Sequence, residues 1–187
     1  MEVIILMGIK HCGKSTQGRI LSEKLNYNFY DVDDVILELN KKSPREIYSQ
    51  SGEEAFKSAE EKACVFLKEK ILASDKGAVI ATGGGICNNP AALEVLHTLG
   101  KFIFLRAEEK VSLERILREV SQDENGNFTG LPAYIAKKNP HSLKEVKQIF
   151  HGFFTERTKL YKKIADVCVN LTDASKEENA GQVLEVV

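Results

Sequence analysis

The sequence predicts an α/β domain built on a parallel sheet, and three observations carry that expectation. Short apolar runs rich in β-branched and aromatic residues alternate with longer amphipathic stretches along the chain. The first apolar run leads directly into a glycine-rich segment carrying Lys14 and Ser15, as where a phosphate-binding loop joins a strand to a helix. The length, 187 residues with 43% hydrophobic, suits one core that buries roughly 70% of the unfolded surface and is too short for two full domains.

Taken in order, residues 3–7 (Val-Ile-Ile-Leu-Met) are apolar without alternation, the pattern of a strand buried on both faces. Glu2 stands where a signal peptide would carry basic residues, and the run stops at Gly8 without a small-residue cleavage site, so a strand is the better reading. A helix is expected over 14–25, a strand over 28–30 and a short helix over 34–39. Residues 52–73 form the clearest helix, with Ala55, Phe56, Ala59, Ala63, Phe66, Leu67 and Ile71 spaced by three and four along one face. Strand 78–81, helix 90–99, strand 102–105 and helix 108–120 follow. Residues 121–130 are polar and aperiodic, with Asn125-Gly126-Asn127 as a turn, and read as a loop or lid. A helix over 142–164, a strand over 167–170 and a helix over 175–186 complete the chain, so residues 1–187 are expected to be one domain.

Twenty-six basic against 27 acidic residues, a formal net charge of −1, leave no polycationic footprint for nucleic acid or an anionic membrane. No apolar run approaches the roughly 20 residues a membrane helix needs. The four cysteines are far apart and form no C-x-x-C clip, which fits a reducing cytoplasm. These observations point to a soluble cytoplasmic protein with a small-molecule substrate.

Gly8-Ile9-Lys10-His11-Cys12-Gly13-Lys14-Ser15-Thr16 matches G-x-x-x-x-G-K-[ST]. Such a loop curls around a diphosphate so that backbone N–H groups and the positive end of the next helix face anionic oxygens, and Gly8 and Gly13 permit the curl. Lys14 is placed for the β- and γ-phosphates of ATP, Ser15 for an octahedral Mg²⁺ and Thr16 for the α-phosphate side; His11 and Cys12 read as filler. Asp31, Asp33 and Asp34 follow the second strand, at the carboxyl end where open α/β sheets bind ligands. Asp31 is expected near the water shell of Mg²⁺, Asp33 at an acceptor hydroxyl, and Asp34 as a helix cap. Thr82-Gly83-Gly84-Gly85 ends another strand and exposes bare backbone N–H groups to a ligand.

With these pieces, and with Ser51-Gly52-Glu53-Glu54-Ala55-Phe56 and Glu156-Arg157-Thr158-Lys159-Leu160-Tyr161, the sequence resembles the shikimate kinases over nearly its whole length. The resemblance implies a three-layer P-loop kinase fold with a five-stranded parallel sheet in order 2-3-1-4-5, helices on both faces and a mobile lid. It implies a substrate-binding helical region over about 33–62 and a lid over about 121–142. It implies γ-phosphoryl transfer from Mg·ATP to the 3-hydroxyl of shikimate, in aromatic amino-acid biosynthesis, by a cytoplasmic monomer. Asp33 and Lys14 would be catalytic, Gly83, Gly84 and Gly85 would bind substrate, and Arg157 would grip the substrate carboxylate through its planar fork. Arg115 would lie beside the adenine ring.

Two departures stand out. The family's second carboxylate-binding arginine is here Lys57, which keeps the charge but loses the fork, a loss worth roughly tenfold or more in KM if shikimate is the substrate. Glu60, one turn on, is expected to orient it. The family's lid arginine is absent, since no arginine occurs between Arg118 and Arg157, and Lys137 and Lys138 are the nearest cations within the lid. These departures leave open a kinase for another small hydroxylated metabolite, such as a gluconate-like acid, and a nucleotide-binding regulator without transfer activity.

Overall fold

The structure is a computed structural model that describes residues 2–124 and 126–187. Asn125, in the expected turn, lies outside the described residues. Five parallel strands form the sheet: β1 (Val3–Met7), β2 (Asn28–Asp31), β3 (Ala78–Ala81), β4 (Lys101–Arg106) and β7 (Val167–Asn170), in order β2-β3-β1-β4-β7. This is the expected 2-3-1-4-5 order, with the last strand seventh in sequence because a small hairpin intervenes. Central β1 pairs on both sides, Leu6 opposite Ala81 and Ile103, and all five of its residues are buried. Its unbroken apolar run is therefore explained by a helix layer on each face.

Val3, Ile5 and Met7 face the larger core, formed with α2 (Val32–Asn40), α3 (Pro44–Leu72), α4 (Pro90–His97), α5 (Glu109–Arg118) and α7 (Leu143–Ile164). Ile4 and Leu6 face a smaller core with α1 (Lys14–Leu25) and α8 (Lys176–Leu184). Parallel register brings the carboxyl ends of β1, β2 and β3 to one edge, so the phosphate loop, the aspartates and the glycine turn converge there.

The structure corrects three local expectations. Helix α2 begins at Val32, two residues early, because the Asp31 side chain caps it by accepting from the Asp33 N–H at 3.1 Å; Asp34 sits inside the first turn instead. Helix α3 begins at Pro44 rather than 52, started by a capping box between Ser43 and Glu46 with Pro44 in the first turn. It is two helical segments joined at Gly52, whose φ of 85° and ψ of −177° break the helix, a conformation open to glycine and costly for other residues. Finally, the polar stretch is not structureless. It holds a two-stranded antiparallel hairpin, β5 (Ser121–Gln122) with β6 (Phe128–Thr129), followed by the single-turn helix α6 (Ala133–Ala136).

Candidate active site

Two cavities lie side by side along the carboxyl edge of the sheet. The larger, about 830 Å³, is lined by the phosphate loop from Lys10 to Gln17, Asp31, Asp33, Thr82, Gly84, Arg115 and the turn leading into α8. The smaller, about 340 Å³, is bounded by α3, the Gly84–Gly85 turn, residues 131–138 and α7.

In the phosphate loop Gly8 and Gly13 adopt φ of 155° and 110°. Lys14 is buried and donates to the carbonyls of Gly8 (3.0 Å) and Ile9 (3.1 Å), so its ammonium lies inside the curl that an anion would fill. Ser15 Oγ donates to Asp31 Oδ2 at 2.6 Å, and Thr16 also lines the larger cavity. The hydroxyl and carboxylate thus meet at one point on the cavity wall. No cluster of three or more His, Cys, Asp or Glu side chains capable of holding a metal exists among the described residues. A hard cation there would need to draw most of its oxygens from water and from a phosphorylated ligand, which is how Mg²⁺ is usually held. The Ser15–Asp31 pair fits such an ion.

Arg115 lines the same cavity, and its Nη1 donates to the carbonyl of His11 at 2.6 Å. His11 Nε2 in turn lies 3.4 Å from Glu119 Oε2, and burial, the strongest influence on this imidazole, lowers its pKa. The loop position read as filler therefore ties the phosphate loop to the end of α5.

Asp33 is open to the solvent of the cavity but crowded by protein on its other sides. That crowding, and then the neighbouring Asp31, push its carboxyl above the ordinary carboxylate range, while Lys14 and Lys10 pull it back. Gly83 lies between Asp33 and Glu60: a Cβ there would be 3.4 Å from Asp33 Oδ1 and 2.9 Å from Glu60 Oε1. Gly84 lies on the backbone of Lys10, with room for no side chain at all, since a Cβ would come within 2.7 Å of the Lys10 nitrogen. Gly84 is thus required by backbone-to-backbone approach, whereas a side chain at Gly83 would have to displace the Glu60 carboxylate.

Arg157 is 8% exposed on α7. Its guanidinium stacks on Tyr134 (4.4 Å to the ring centroid) and Phe153 (5.2 Å), and Nη1 donates to the Gly84 carbonyl at 2.9 Å. Aromatic faces and a backbone acceptor hold the fork rigid without neutralising it. Its Nη2 approaches Gly85, at the wall of the smaller cavity.

Lys57 lines this cavity, but the expected partnership with Glu60 is absent. Lys57 Nζ pairs with Glu53 (3.2 Å) and Glu54 (3.3 Å), one turn earlier on the same helix. Glu60 instead faces inward, 1% exposed, and accepts from Asn89 Nδ2 at 2.9 Å, while its Oε1 has no partner among the described residues. Burial, reinforced by Asp33 and opposed by Asn89, raises its carboxyl to about 7.

Sequence reasoning missed Arg45. It lies on the first turn of α3, lines the smaller cavity, and donates from Nη2 to the Leu131 carbonyl at 2.9 Å, fastening the segment expected to form the lid. Its signal, the Ser43-Pro44-Arg45-Glu46 helix start, was present in the sequence, but only the fold brings it to the cavity. Lys137 and Lys138 line the same cavity, and Lys137 pairs with Glu53 at 3.5 Å.

Comparison with known proteins gives a consistent picture. Residues 10–187 match the family model described as shikimate kinase. The chain is 30% identical over 185 residues to the shikimate kinase of Thermodesulfovibrio yellowstonii, covering 99% of this chain and 94% of that one. To the shikimate kinase of Caldanaerobacter subterraneus subsp. tengcongensis it is 31% identical over 184 residues, covering 98% and 95%. Among solved structures, the Aquifex aeolicus shikimate kinase superposes with a TM-score of 0.69 at 31% identity, covering 98% and 94%. The fold is also that of the Acinetobacter baumannii shikimate kinase solved with shikimate, with a TM-score of 0.78, 23% identity, and coverage of 100% and 92%.

Proposed function

The chain belongs to the shikimate kinase family, whose members are ATP-dependent kinases, and from that premise we propose that it phosphorylates the 3-hydroxyl of shikimate through the residues described above. The observation that carries the reading is the pairing of the two cavities. A phosphate-binding cleft shares the Gly84 wall with a smaller cavity that ends on a buried, aromatic-stacked arginine. A nucleoside triphosphate fits the first chemistry, and a small hydroxylated carboxylate fits the second.

In this mechanism Lys14 exchanges its bonds to the Gly8 and Ile9 carbonyls for phosphate oxygens, and the backbone N–H groups of the loop hold the β-phosphate. Mg²⁺, when bound beside Ser15 with Asp31 reached through water, would supply charge neutralisation on the phosphates. Asp33 orients the acceptor hydroxyl and takes its proton as the O–P bond forms and the bond to ADP breaks. Its raised pKa brings it closer to that task than an ordinary carboxylate. Arg157 holds the substrate carboxylate, with Lys57 and Arg45 adding charge from α3. Gly83 and Gly85 keep the intervening turn free of side chains.

No helix among the described residues is long and apolar enough to cross a membrane. A monomer acting on a small molecule in the cytoplasm completes the proposal.

The test is ADP release from Mg·ATP with and without saturating shikimate, with Asp33→Asn alongside. Shikimate-dependent ADP is expected, falling by roughly 10²–10⁴-fold in the variant while Mg·ATP still binds in titration. Equal turnover in the variant removes Asp33 from the mechanism. Because Lys57 is already tied to two glutamates, a panel of acceptors with and without a carboxylate belongs beside it. Full activity on uncharged polyols would replace shikimate with another acceptor.

A further inference from the structure

Phosphoryl transfer has to occur where the two cavities meet, and among the described residues only two line both of them: Lys10 and Gly84. Gly84 offers no side chain, and its backbone lies against the Lys10 main chain, where a Cβ would come within 2.7 Å of the Lys10 nitrogen. The one side chain at the crossing is therefore that of Lys10.

Its charge is also uncommitted. Lys57 is paired with Glu53 and Glu54, and Lys137 with Glu53. Arg45 is fastened to Leu131, and Arg115 to His11 on the nucleotide side. Lys138 lines only the smaller cavity. Among the described residues no carboxylate pairs with Lys10, which stands exposed on the phosphate loop. Its field nevertheless reaches the proposed base, because Lys10 is one of the two lysines that draw the Asp33 carboxyl downward. No arginine occurs from residue 119 to residue 156, so the hairpin and α6 bring none to the transferring group.

We propose that Lys10 is the catalytic cation on the transferring phosphoryl group, supplied by the phosphate loop itself rather than delivered by a lid. The proposal rests on the kinase reading above. As the acceptor oxygen bonds to the γ-phosphorus and the bond to ADP breaks, the acceptor proton passes to Asp33. Lys10 keeps its own protons throughout and donates hydrogen bonds to the equatorial phosphoryl oxygens, where charge gathers in the transition state. A cation on the loop is in place before any lid closes, so Lys10 should also support any slow transfer to water in the absence of acceptor.

The experiment compares the wild type with Lys10→Met, Lys10→Arg, Lys137→Met and Lys138→Met. For each, kcat and KM are measured for acceptor-dependent and acceptor-independent ADP release. Affinities for Mg·ATP, and for Mg·ADP with aluminium fluoride as a mimic of the transferring group, are measured by titration. Lys10→Met is expected to lose roughly 10²–10³-fold in kcat and a similar factor in affinity for the fluoride complex, with Mg·ATP affinity held within about threefold. Lys10→Arg should recover most of the loss.

Three results would overturn the assignment. One is a kcat for Lys10→Met within about threefold of wild type. Another is a matching loss of Mg·ATP affinity, which would make Lys10 an ordinary ground-state ligand. The third is a comparable kcat loss in Lys137→Met or Lys138→Met alone, which would return the role to the lid. If the wild type releases no shikimate-dependent ADP, the acceptor reading fails by itself. The fluoride complex and acceptor-independent release would still decide Lys10.

Discussion

The largest contiguous part of the larger cavity's wall is one stretch of chain, residues 10–17, faced by Asp31 at the end of β2 and Asp33 at the start of α2, whereas the smaller cavity, beyond the shared Lys10, draws its cations from α3, the residues just after α6, and α7. In the first region the ligands are backbone amides held by a strand and a helix, so the geometry is set before any side chain packs. In the second, the cations are held by several unlike devices. Arg157 is stacked on two aromatic rings that touch each other, Lys57 is tied to its own helix, and Arg45 is bonded to a distant carbonyl. The contrast suggests that donor chemistry tolerates little change, while the acceptor side can be re-sorted residue by residue. Lys57, Lys137 and Lys138 all stand on that acceptor side.

The strongest way to break that contrast is Arg157→Ala. If the acceptor side were as redundant as its number of cations suggests, Lys57 and Arg45 would compensate. A rigid fork making two charge-assisted bonds is worth about 4 kcal/mol, so KM for shikimate is expected to rise nearly a thousandfold with little change in Mg·ATP affinity. A rise of less than about tenfold would mean that the α3 cations carry the carboxylate.

How much of each region could be read from the sequence follows the same division. The phosphate loop is contiguous, so its motif and its place between β1 and α1 were both legible, as were Asp31 and Asp33 at a strand end. The helix cap was misassigned to Asp34 because three adjacent carboxylates compete for it, and backbone geometry at Asp31 decides. The first part of α3 was missed because Gly52 interrupts the periodicity, although the Ser43 and Glu46 capping box was in plain view. The β5–β6 hairpin has strands of two residues each, too short for any alternation to show. Arg45 and the Glu60–Asn89 pair depend on segments that meet only after folding, and no local pattern encodes them.

Glu60 sharpens the comparison through stability. The donor side pairs its Asp31 carboxylate with a hydroxyl, but Glu60 is a buried acid with one amide partner and a free oxygen. Its carboxyl is raised from 4.5 to about 7 in the folded protein, so between those values the folded state holds a proton that the unfolded chain has released. Stability therefore falls as pH rises across that window, by about 3 kcal/mol in all, and is flat beyond it. In Glu60→Gln this fall should vanish and the variant should be the more stable protein at pH 8. Urea unfolding of both proteins across the window checks it. A difference between them that does not change with pH would mean that Glu60 stays ionised in the fold.

The smallest effect is expected at Lys57, and it separates charge from geometry. Glu53 and Glu54 already offset the ammonium, and the side chain is partly exposed, so its removal should cost far less than that of Arg157. Lys57→Ala is expected to raise KM for shikimate by about threefold and to leave kcat unchanged. Lys57→Arg adds a fork that the two glutamates can capture as readily as the substrate, so it should gain little unless Glu54 is also changed. If Lys57→Arg alone lowers KM tenfold or more, the glutamates do not hold position 57 away from the acceptor. In that case the acceptor side would be limited by the missing fork alone, and its division among three elements would matter less than the identity of one residue.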